Sequence, residues 1–153
     1  MATADARSAS KGYKVARFRP SEETARMAAV LAAVGFVGLA LFQVALAAGA
    51  DWGHAAWGGA NAELSTAQRI GSAVAVLTWT AAALVVLGRA GLLRSRRPLA
   101  RFYRWGTWVV ATGSVVGSLA NFASQSRYEN LILGPLALTL SILCFVVARS
   151  QPE

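Results

Sequence analysis

The sequence predicts an all-α protein, an integral membrane four-helix bundle with both termini in the cytoplasm. Three observations predict it. Four apolar stretches, 27–50, 70–87, 105–123 and 131–148, divide the 153 residues. At about 1.5 Å per helical residue, each is long enough to cross a hydrocarbon layer of about 30 Å, the shorter ones barely. Charged residues make up 14% of the chain and apolar residues 56%, against about 25% charged in soluble domains, and the deficit lies inside the four stretches. Finally, with a cytoplasmic N-terminus, 13 of the 15 lysines and arginines fall on the inner side and only Arg69 and Arg127 on the outer. A Lys/Arg bias of that size sets orientation.

The elements follow in order. Residues 1–20 are small, polar and basic with no apolar periodicity, which predicts a disordered cytoplasmic tail. Residues 21–149 form the four-helix domain, and 150–153 a short tail. Ser21 is placed to cap free N–H groups at the start of the first helix, where Glu22 and Glu23 suit the positive helix end. A cleavage site at Ala45-Leu46-Ala47 competes with this reading, but the apolar run before it is longer than the usual 7–15 residues of a signal peptide. Residues 51–64, rich in Gly, Trp and Ala, predict a structured outer loop. Ser65-Thr66-Ala67-Gln68 fits a capping box that opens the second helix, which ends near Gly88-Arg89 with Arg89 snorkelling to the headgroups. Pro98 suits the first turn of the third helix. Gly134-Pro135 falls in the first turns of the fourth, where proline costs least.

Lipid is as apolar as leucine, so membrane helices join by close backbone approach and interhelical hydrogen bonds. Gly113-x-x-x-Gly117, with Ser114 and Ser118 beside it, is therefore read as the packing face of the third helix, used inside the bundle or in a homodimer. Ala29, Ala33, Gly35 and Gly38 give the first helix a similar texture.

Polar groups inside lipid are costly and invite a functional reading. Gln43 and Asn121 each sit in the outer half of a helix, at comparable places in the two halves of the chain. With Asp51, Trp52, His54, Trp57 and Glu129 they make a candidate ligand site facing outward. Each also has a plainer reading: the amides as interhelical hydrogen bonds, His54 as a loop residue, the tryptophans as interface anchors, and Glu129 as a partner of Arg127. No catalytic residue is assigned. One His and one Cys cannot supply the three or four ligands of a metal site, and no GxSxG or Walker-type loop is present, so no metal or cofactor is expected. The seven acids all lie in tails, caps or loops, which argues against a proton-coupled antiporter of similar size. A net charge of +8 at pH 7 is explained by anionic lipid rather than nucleic acid.

The stretch Gly49-Ala50-Asp51-Trp52-Gly53-His54-Ala55-Ala56-Trp57-Gly58-Gly59, followed by Arg69-Ile70-Gly71-Ser72 and, later, Gly134-Pro135, resembles small four-helix bacterial integral membrane proteins with a Trp/Gly-Gly outer loop. The resemblance covers about 42–149. It implies four spans in a bacterial plasma membrane and supplies no activity.

Three functional readings stay open. The first is a non-enzymatic binding or accessory component, its partners the bilayer, a lipid or apolar ligand, or another membrane protein. The second is a small transporter or channel subunit. The third is a membrane enzyme acting on a lipid or isoprenoid, with His54, Asp51 or Glu129 as acid–base groups.

Overall fold

The computed structural model describes residues 20–93 and 99–150. It is all-α, with four long helices: α1, Glu22–Ala48; α2, Thr66–Arg89; α3, Ala100–Phe122; and α4, Gly134–Arg149. A single 3-10 turn, Gly53–Ala55, lies in the α1–α2 loop, and a π-helical stretch, Glu129–Leu133, runs into α4. The helices alternate in direction. α1 packs chiefly on α2 and α3 on α4, and the two hairpins join mainly through α1 and α4. One end of the bundle therefore carries the α1–α2 and α3–α4 loops (the loop end). The other carries the start of α1, the end of α4 and most of the arginines (the arginine end).

Local chemistry sets the helix ends. Ser21, in extended conformation, accepts from the backbone N–H of Thr24 at 3.1 Å. At α2, Ser65 Oγ accepts from Gln68 N and Gln68 Oε1 accepts from Ser65 N, the reciprocal pair its sequence predicts. Pro98 and the expectation placed on it lie outside the described residues; α3 begins at Ala100. Proline lacks an N–H and its ring crowds the carbonyl four residues back. Ahead of Pro135 the backbone widens into a π turn, in which Gly134 N donates to Glu129 O. Gly134-Pro135 fall in the first turn of α4, as the sequence predicts, with the π-helical stretch ahead of them.

Three helical segments, Glu22–Ala48, Thr66–Arg89 and Glu129–Arg149, are long and apolar enough to cross a membrane. α3 has the length at 23 residues, but it interleaves threonines, serines and glycines with its valines and is not among the three. The expectation of four such segments thus holds for three.

The core is built from small residues around one ring. Phe36 is fully buried and stacks on Trp79, centroids 5.7 Å apart and planes 11° from parallel. Around it lie Ala32 and Ala33 of α1, Ala82, Ala83 and Val86 of α2, Ala111 of α3, and Leu140 and Cys144 of α4. Alanine at these places lets the helix backbones approach. Gly35 does so too, since a Cβ there would stand 2.6 Å from Leu140 Cδ2. Serine hydroxyls fasten α3 to α4: Ser118 Oγ donates to Gly134 O at 2.9 Å and Ser141 Oγ to Ala111 O at 3.2 Å.

Ser114 and Ser118 are buried, as expected of a packing face, but Gly113 and Gly117 are not part of it. A Cβ on either glycine would meet nothing within 4 Å, and the same holds at Gly38. Residues one position apart differ by about 100° around a helix, so the serines turn inward while the glycines look out. Intramolecular packing through Gly113-x-x-x-Gly117 is therefore corrected to packing through the serines. Accordingly, Gly117→Leu should leave the melting temperature of detergent-solubilised protein nearly unchanged, within about 0.5 kcal/mol. Gly35→Leu should destabilise by about 1–3 kcal/mol, as overpacking does. Both are read by thermal unfolding in one detergent.

Candidate functional site

The loop end gathers most of the residues singled out from sequence, and it is built on hydrogen bonds between the two loops. Trp57, Gly58 and Gly59 all have positive φ, at 55°, 84° and 71°. Glycine enters this region freely, whereas tryptophan does so only when held. Two contacts hold Trp57: its Nε1 donates to the buried Ser72 Oγ at 3.1 Å, and its ring lies over Gly71, where a Cβ would be 2.6 Å from Cη2. The left-handed run turns the backbone N–H of Gly58 toward Glu129 Oε2, which accepts it at 3.1 Å. The same oxygen accepts from Ser124 Oγ. Ser126, also buried, donates through Oγ to His54 O at 2.6 Å. His54 Nδ1 bonds to Gly59 O at 3.1 Å; a carbonyl only accepts, so Nδ1 carries the proton. Gly59 is confined on two sides, since a Cβ would stand 2.8 Å from Ser126 Cβ and 2.9 Å from His54 O.

The structure thus brings Trp57, His54 and Glu129 together at the loop end, the cap of the bundle, each with one polar atom hydrogen-bonded there. Glu129 does not pair with Arg127; among the described residues the ion pair found is Arg26–Glu22, at 3.9 Å on the surface of α1. Trp52 is half exposed and stacks on Phe42, centroids 6.3 Å apart. Asp51 is exposed. Gln43 and Asn121 are half-buried, and among the described residues no hydrogen bond joins them. Gln43 Oε1 is buried without a partner. Arg69 Nε donates to Ala47 O at 3.1 Å, placing a cation at the C-terminus of α1.

Beneath the cap, a cleft of about 370 Å³ opens between α1 and α4. Gly38, Phe42, Ala55, Tyr128, Leu133 and Leu136 line it, and its walls are almost wholly apolar. It suits a hydrocarbon chain rather than a polar substrate. No group of three or more His, Cys, Asp or Glu side chains with metal-binding geometry occurs among the described residues.

No protein-family model matches the chain, and neither a curated protein nor a solved structure shows significant similarity to it.

The arginine end holds groups that sequence reasoning used only to set orientation. Arg89, expected to snorkel, is 7% exposed. Its Nη2 donates to Ser150 O and, at 3.5 Å, to Ala148 O, so it caps the last turn of α4. Its Nε has no partner among the described residues. Arg89 shares a cleft of about 620 Å³ with Arg101, Arg104 and Arg149. A larger groove of about 930 Å³ runs between α2 and α3, walled by Trp79, Val85, Phe102, Trp105, Val109 and Ser114. The spacing of Arg101 and Arg104, one turn apart on the same helix face, was the available signal. What it lacked was the tertiary contact that brings Arg89 and Arg149 beside them.

Proposed function

We propose that the chain is a plasma-membrane protein that crosses the bilayer four times, both termini cytoplasmic, and acts as a non-enzymatic binding or accessory component for an apolar or amphipathic ligand. One observation carries the reading: large apolar side chains stand exposed on the outward faces of all four helices. Val34 and Leu41 do so on α1, Val74 and Leu77 on α2, Val109, Val116 and Leu119 on α3, and Leu138 and Ile142 on α4. Continuous apolar belts of this kind are rare on monomeric soluble proteins and mark a membrane or protein contact. α3 belongs with the other helices on this argument. Its buried polar side chains, Thr107, Ser114 and Ser118, face inward, so the surface it offers to lipid between Val109 and Leu119 is apolar apart from Thr112 and the glycines. The Lys/Arg bias supports the orientation.

The non-enzymatic part of the reading is supported by how the loop end uses its ionisable residues. Glu129 Oε2 and His54 Nδ1 are engaged in holding the two loops together, and the cleft beneath offers apolar walls. The test is extraction of membranes from expressing cells at alkaline pH. The protein should stay in the membrane pellet and leave it only with detergent. Recovery in the wash would remove the reading.

A further inference from the structure

We propose that the arginine end binds an anionic phospholipid, its phosphate among Arg89, Arg101, Arg104 and Arg149 and an acyl chain in the groove between α2 and α3. The proposal rests on the membrane-spanning reading above but concerns the opposite end of the bundle from the cap.

The head half follows from charge and burial. Four guanidinium groups line one cleft, and none of the described residues lining it is acidic. Like charges gathered in one cleft repel one another, and an anion relieves that repulsion. Arg89 makes the site more than a basic surface, because it is 93% buried, anchored through Nη2, and left with an Nε–H that no acceptor among the described residues meets. A buried donor without an acceptor is costly, and planar guanidinium groups match phosphate oxygens in pairs. Basic pockets between membrane helices on the cytoplasmic side are where anionic headgroups bind.

The tail half follows from continuity. Arg101 lines both the arginine cleft and the apolar groove. Arg104 lies over the ring of Trp105, 5.8 Å from its centroid, and Trp105 walls the groove. α2 and α3 close on each other where Tyr103 covers Gly88 and Val85 meets Gly106. Alongside those contacts the groove runs on to Ser114 and Thr78. It is therefore open along its length to lipid, with the arginines at its mouth. A free phosphate would use the mouth and leave the groove empty, whereas a phospholipid uses both. Trp79 Nε1 and Ser114 Oγ, buried without partners, lie about 20 Å further along, where a lipid is only hydrocarbon, and take no part.

The experiment uses full-length protein in an uncharged detergent, with native mass spectrometry and thermal unfolding as readouts. Phosphatidylglycerol, phosphatidylcholine with the same chains, and inorganic phosphate are added separately. Phosphatidylglycerol should be retained as a discrete adduct and raise the melting temperature, while the other two do neither. Arg101→Gln with Arg104→Gln, both at exposed helix positions, should weaken phosphatidylglycerol binding roughly thirtyfold, the attraction expected of two basic residues. Gly113→Leu, which projects into open space at the groove, should also lower retention. Arg26→Gln, at the exposed start of α1, should leave it within about threefold. Equal retention of phosphatidylcholine, displacement of the lipid by inorganic phosphate, or a loss in Arg26→Gln as large as in the double variant would each overturn the proposal, as would retention unchanged in Gly113→Leu. Failure of the membrane reading looks different, since the protein would then be purified without detergent.

Discussion

Glu129→Ala is expected to open the loop end while leaving the four helices formed. One carboxylate oxygen accepts from both Gly58 N and Ser124 Oγ, and so joins the α1–α2 loop to the α3–α4 turn. Hydrogen bonds to a charged group contribute about 1.5–3 kcal/mol each. Glu129 is only half-buried, so water replaces part of what is lost, and a net destabilisation of about 2–3 kcal/mol is expected. The loss should be local. Amide hydrogen exchange should accelerate at 53–60, where the left-handed run at Trp57, Gly58 and Gly59 is no longer held across the gap, and should stay slow in α1 and α4. Glu129→Gln keeps an acceptor and should cost less than half as much. If exchange in the α1–α2 loop is unchanged in Glu129→Ala, Glu129 does not clamp the cap.

Phe36→Ala is expected to destabilise the whole bundle. The ring is fully buried, stacks on Trp79, and is surrounded by alanines too short to collapse into the space it would leave. Removing a buried phenylalanine from a soluble core costs about 3–5 kcal/mol. On the proposed membrane reading the displaced ring keeps an apolar solvent, so the transfer part of that cost falls away and packing remains. The expected loss is on the order of 2–4 kcal/mol, read as a lower melting temperature in detergent with a still cooperative transition. Phe36→Leu, which fills most of the space, should lose less than half of that. A melting temperature unchanged in Phe36→Ala would mean that the core is not centred on this ring.

Features written in short spans of sequence were legible. Ser21 before two glutamates, and Ser65 three residues before Gln68, each need only one helical turn to act, and both cap as read. The four helices follow from apolar runs whose length alone excludes strands. What stayed hidden depends on rotation and on distant partners. The stripe Ser114, Ser118 and the pair Gly113, Gly117 share one helix a single position apart, and only the place of α4 decides which pair faces inward. Gln43 and Asn121 occupy matching heights in the two halves, but height does not set azimuth, and no hydrogen bond joins them among the described residues. Arg127, two residues away, is the plainer partner the sequence offers Glu129; the partner in the fold, Gly58, is 71 residues away. The arginine cleft was invisible for the same reason, because Arg89, Arg104 and Arg149 belong to three different helices.

Both loops lie on one side of the bilayer only if α3 crosses it together with the three more apolar helices. Single cysteines test this directly. Cys144 is buried in α4 and is replaced by alanine, and a cysteine is then introduced singly at Ala60, Gln125 or Leu92, all exposed positions. A membrane-impermeant maleimide is applied to intact cells. Label at 60 and 125 in intact cells, and at 92 only after permeabilisation, is the predicted result. Label at 92 in intact cells, or positions 60 and 125 reporting opposite sides, would contradict it.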